Sequence, residues 1–136
     1  MLVFDRLSVR RHRDRAAAAF SRHDFLFREV ADRLLDRLVD IRRQFPLALD
    51  LGCHSGLLAE ELSGRGGVQT MVQADISPRM AATASGLRLA ADEETLPFAP
   101  ASFDLVLSLL SLHWVNDLPG ALAQLRGALK PDGLLL

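Results

Sequence analysis

One cysteine, one tryptophan, one lysine and no tyrosine occur in the 136 residues of this chain. The lone Cys53 excludes an intramolecular disulfide and any paired-cysteine metal knuckle, and it fits a reducing compartment. No apolar run approaches the roughly 18 to 20 residues that a membrane span needs, and the start has no uninterrupted apolar stretch of the secretory kind. The expectation is a cytoplasmic protein without a membrane span. Its Arg- and Ala-rich beginning has the composition of an organelle transit peptide, but Asp5, Asp14 and Asp24 argue against that reading. A net charge of -1 removes any bulk electrostatic case for nucleic acid or an anionic surface. Internal repeats are absent, and so is low complexity beyond the four alanines at 16–19.

What is present suffices for one hydrophobic core, since 49% of the residues are apolar. Charge is uneven within it. Arg6, Arg10, Arg11, Arg13, Arg15 and Arg22 face three acids in residues 1–24, which reads as a solvated helix face or, more sharply, as a lid or a docking surface for an acidic partner. From Phe25 to Ile41 apolar residues recur at helical spacing, and Pro46 then disfavours helix at Phe45. Residues 1–44 therefore read as an N-terminal helical segment.

Residues 45–136 change pattern. Short apolar runs at 47–51, 68–75, 87–92, 103–110 and 134–136 are separated by helical stretches. Strands apolar on both faces, alternating with helices, predict an α/β fold, a parallel sheet flanked by helices. Right-handed crossovers predict the strand order 3-2-1-4, with the last run beginning a fifth strand beside the fourth. Ser77 and Pro78 predict a helix start, Asn116 or Asp117 another, and "KPDG" is expected to stop the last helix near Leu129 with Lys130 at its negative end. The chain stops three leucines into that fifth strand, so we expect an N-terminal portion of a longer protein. Such an edge predicts self-association or fraying, and weak turnover.

In an open parallel sheet, ligands sit beyond the carboxyl ends of the strands. The first strand ends in "DLGCHSG", where Asp50, Gly52 and Gly56 leave either a bare strand-to-helix turn or a turn that lets a ligand approach the backbone. Asp75 ends the second strand, where a carboxylate can accept from both hydroxyls of a ribose. Asp92 and Glu93 end the third. Acids at three successive strand ends would repel a phosphate-rich cofactor but would suit an adenosine that carries a cationic centre.

With those residues in place, "LALDLGCHSGLLAEEL", "QADIS" and "LPFAPASFDLVLSLLSLHWVNDLP…LKPDG" together resemble the class I S-adenosylmethionine-dependent methyltransferases of the type-11 group. Within it, "FDR…RDRAAA…HDFLFREVADRLLDRL" resembles the mitochondrial complex I assembly factor 5 family and its bacterial relatives. Malonyl-acyl-carrier-protein methyltransferase is similar in the core and less so at the N-terminus. The resemblance implies a Rossmann-like fold with S-adenosylmethionine as cofactor. It places Asp50, Gly52 and Gly56 in the first motif, Asp75 at the ribose, Ile76 beside the adenine, Asp92 and the Glu93 backbone at the adenine ring, and Leu109 where methionine and acceptor meet. His54 replaces the motif's usual middle glycine and reads as a solvent-facing side chain, a cofactor contact or a base. Cys53 beside it reads as a small buried filler within the cofactor turn. His113 is the candidate base or substrate-orienting group, with Trp114 as a pocket wall or simply a packing residue.

Three functions remain open from sequence: methyl transfer to a small acid or a protein side chain; arginine hydroxylation in the assembly of respiratory complex I, as the second family implies; and an inactive cofactor-binding module.

Overall fold

The run Phe45–Leu51 forms the central strand, β1, because its side chains are apolar toward both sides: Ala48 faces one helical layer while Leu49 and Leu51 face the other. In this computed structural model, which describes residues 2–136, β1 pairs in parallel with β2 (Val68–Asp75) on one side and β4 (Phe103–Leu107) on the other. β3 (Arg88–Ala90) joins β2, and β5 (Leu129–Leu135) joins β4, also in parallel. The order β3-β2-β1-β4-β5 is the one expected from right-handed crossovers.

Between the strands lie α3 (Leu57–Leu62), α4 (Pro78–Ala81) and α5 (Leu118–Ala128). Ahead of them come α1 (Arg6–Ala16), a 3-10 segment Ala17–Arg22 and α2 (Phe25–Val39). Helices α2 and α3 cover one face of the sheet, packing Ala31, Leu35, Leu38, Leu58 and Leu62 on Ala48, Leu105 and Leu107. Helix α5 covers the other, with Leu125 and Ala128 on Leu49, Phe103 and Val106. The caps fall where short polar side chains can satisfy free N–H groups. The Ser77 side chain accepts from the Met80 N–H, Pro78 takes the first helical position, and Asp117 accepts from Gly120.

Several boundaries differ from the sequence expectation. β1 begins two residues early, and β3 and β4 are shorter than their apolar runs. The end of α5 changes most. The helix stops at Ala128, and "KPDG" lies within β5 as an irregularity: Phe103 pairs with Leu129, and Leu105 with Leu134. Pro131 cannot donate to a ladder, so this stretch bulges out instead of pairing. Lys130 accordingly serves β4 and not the helix end, its Nζ standing 3.2 Å from Asp104 Oδ1.

Candidate cofactor site

The carboxyl ends of β1, β2 and β3 bring Asp50, Asp75, Asp92 and Glu93 to one edge of the sheet, with the β1–α3 turn holding Gly52, Cys53, His54 and Gly56 between them. Ile76 follows Asp75 and is buried, as is Leu109 beyond β4. His113 lies farther out, in a 3-10 turn Leu112–Trp114, where its ring tilts against that of Trp114.

The turn is tight by necessity. Gly52 and Gly56 have φ of 73° and 82°, the left-handed region that favours glycine. A Cβ on Gly52 would lie 2.1 Å from Ser111 Oγ, and one on Gly56 would lie 2.4 Å from Gln73 Oε1. The turn's amides are engaged by the neighbouring strand: Gly52 and Cys53 donate to the Ala74 carbonyl at 2.8 and 2.9 Å, and His54 donates to Asp75 Oδ2 at 2.9 Å. Asp75 is fully buried, and its Oδ1 accepts from the Ser77 N–H at 2.9 Å.

Asp50 is also fully buried, and neither of its carboxyl oxygens meets a hydrogen-bond partner among the described residues. Burial, reinforced by the charge of Asp75, pushes its pKa up to about 8. Burial likewise pushes the Cys53 thiol well above its usual range, which makes it a poor nucleophile and fits the filler reading.

His54 is not the solvent-facing side chain that a permissive turn allows. It is 6% exposed, stacked on Phe20 with centroids 5.4 Å apart and planes 6° apart, and met edge-on by Phe27 at 4.6 Å. Burial, then the charge of Arg13, pushes it down to about 3, so it is a neutral imidazole at ordinary pH. Where the motif usually has glycine, this chain has an aromatic plug that ties the turn to the N-terminal segment.

That segment also supplies the residues that sequence reasoning missed. Arg13 is 8% exposed and reaches into the site: its Nη1 lies 3.1 Å from Asp75 Oδ2 and 3.5 Å from Glu93 Oε1, and its Nη2 donates to Ser111 Oγ at 2.9 Å. Ser111 in turn donates to Glu93, which is 1% exposed. Arg6 grips the outer rim, bonding Asp92 Oδ1 at 2.7 Å, Glu93, and the Trp114 carbonyl at 2.9 Å. Two of the six N-terminal arginines are thus held inside the acidic rim and are not part of a solvated face. The signal was present as complementarity, an arginine excess in residues 1–24 against acids gathered at the strand ends.

The match to a known domain decides the class of site. The methyltransferase domain family matches residues 49–136, from within β1 to the last residue. The chain belongs to the methyltransferase-domain family. S-adenosylmethionine is the cofactor of this class I domain. The whole 136-residue chain is 46% identical to the arginine-hydroxylase NDUFAF5, mitochondrial, of Danio rerio, covering 44% of that relative. It is 45% identical to the human protein of the same name, over 98% of this chain and 41% of the relative. It is 36% identical to the malonyl-[acyl-carrier protein] O-methyltransferase of a Methylovorus strain, over 98% of this chain and 50% of the relative. The chain therefore spans half the length of these relatives or less. In fold it resembles the Haloferax volcanii methyltransferase solved with the Trm112 activator, with a TM-score of 0.76 and 24% identity over 90% of this chain and 57% of that one.

The donor set of this methyltransferase domain fits the cofactor's chemistry. Asp75 offers a carboxylate to hydroxyls, Asp50 a partnerless buried carboxyl to a cationic group, and Gly52 a face without a side chain. The space, however, is filled by the chain itself. Beside the glycine turn the cavity measures only about 10 Å³, far below the several hundred Å³ of a ligand pocket. A larger cavity of about 690 Å³ lies beyond it, under α1, walled by Phe4, Val9, Phe27, Leu110 and Trp114, with His54 and His113 at its sides.

Proposed function

We propose that this chain is the cofactor-binding part of a methyltransferase that transfers a methyl group from S-adenosylmethionine to a small acid or a protein side chain. The observation that carries the reading is the position of Asp75: fully buried at the carboxyl end of the strand next to the glycine turn, where an acid holds a ribose in parallel-sheet folds. S-adenosylmethionine, when bound, supplies an electrophilic methyl on a cationic sulfur. The protein's part is alignment and exclusion of water. Asp75 and Asp92 would hold the nucleoside, Asp50 would face the cationic end, and His113 and Trp114 would flank the acceptor.

A second reading has its own support. The likeness to NDUFAF5 covers the whole chain, the N-terminal segment included, and favours arginine hydroxylation with a respiratory complex I subunit as partner. Incubating the protein with S-adenosylmethionine, candidate acceptors, dioxygen and a two-electron reductant, followed by mass spectrometry of the acceptor, separates the two, because hydroxylation takes one oxygen atom from dioxygen and releases the other as water. Gain of one methyl supports the first, gain of one oxygen supports the second, and an unchanged acceptor contradicts both.

A further inference from the structure

Helix α1 has one buried side chain, and that side chain is an arginine. A helix docked by apolar burial would be costly to lift. One docked by ion pairs and hydrogen bonds can be exchanged for a ligand that offers the same carboxylates a cation and donors of its own.

The acceptors are already taken. Asp75 Oδ1 holds the Ser77 N–H, and Oδ2 holds both the His54 N–H and Arg13. A carboxylate has about four lone-pair sites, so a ribose diol that needs two finds only one while Arg13 stays. Arg13 also anchors Ser111, whose Oγ stands 2.1 Å from the point where a Gly52 side chain would begin. The same guanidinium therefore blocks the ribose acid directly and the glycine face through Ser111. The remaining ties of α1 and of the residues just ahead of it are mostly polar: Arg6 to Asp92 and Glu93, Asp14 to Ser77, and the Asn116 side chain to the Val3 and Phe4 N–H groups and the Phe4 carbonyl, with one apolar contact, the Phe4 ring edge-on to Trp114 at 5.4 Å.

We propose that α1 is a displaceable strap: in the cofactor-free chain Arg13 takes the cofactor's place against Asp75 and Glu93, and loading proceeds by releasing α1. The inference rests on the reading of Asp75 as the ribose acid. It makes cofactor affinity a population-weighted quantity, lowered by the fraction of molecules in which the strap is closed.

The test is calorimetric titration of S-adenosylmethionine into the 136-residue chain and into two variants, with hydrogen exchange of the α1 amides in the wild type. Arg13→Met removes the competing charge. Asn116→Ala removes the side-chain bonds to Val3 and Phe4, loosens the strap at its far end, and serves if Arg13→Met does not fold. Both variants are expected to bind more tightly than wild type, Arg13→Met by about fivefold or more, the lower end of ordinary coupling between sites. Amides of residues 6–16 are expected to exchange faster when the cofactor is bound. Tight binding that neither variant improves, or α1 amides that become more protected, overturns the strap and leaves the cofactor reading standing. No binding by any of the three proteins overturns both.

Discussion

At the residue scale, burial displaces the pKa values of the first-motif turn in opposite directions, raising Asp50 and Cys53 and lowering His54. Asp50 is raised from 3.8 to about 8, so between those values the folded chain keeps a proton that the unfolded chain has lost, and stability falls as pH rises through that window. His54 is lowered from 6.5 to about 3, so its contribution is complete above 6.5 and is lost as pH falls toward 3. Asp50→Asn should remove the first dependence. Denaturant melts at pH 5 and pH 8 are expected to show the variant gaining on wild type as pH rises, and a constant difference would contradict the assignment. His54→Asn should flatten the acid side of the profile, and an unchanged acid limb would show that the imidazole is not held neutral by its surroundings. The identity of these residues as candidates was legible from the motif, but their protonation was not, because it depends on Phe20, Phe27 and Asp75 closing over them.

At the element scale, the strands and helices of residues 45–136 were readable because period and capping chemistry agree. Asp117 shows the agreement: it was one of two candidate caps, and its side chain accepts from Gly120 at 2.9 Å. Asp117→Ala should cost about 1 kcal/mol in a denaturant melt, and an effect below about 0.3 kcal/mol would mean that Leu118 onward is held by packing alone. Asn116, the alternative cap, serves elsewhere for a physical reason. Its partners, Val3 and Phe4, lie more than a hundred positions away, and no local rule reports a contact of that range. The same applies to Arg6 and Arg13, whose partners Asp92, Asp75 and Glu93 are brought near only by the completed sheet. The bulge in β5 escaped because "KPDG" satisfies a helix stop and an irregular strand equally well.

At the scale of the whole molecule, the sheet has one apolar layer under α2 and α3 and another under α5, with β1 and β4 buried between them. Leu105 sits fully buried in β4, so Leu105→Ala should destabilise the chain by about 2 to 5 kcal/mol; a loss under about 1 kcal/mol would mean that this region is not packed as described. The polar edge of the same sheet is where the account of function stands, because it joins the carboxyl ends of three strands, the glycine turn and the N-terminal segment in one place. Its central claim, that Asp75 holds the cofactor's ribose, is tested most directly by titrating S-adenosylmethionine into wild type and Asp75→Asn under identical conditions. The account predicts affinity at least about tenfold weaker in the variant, since charge-assisted hydrogen bonds become neutral ones. Equal affinity in the two proteins would contradict it.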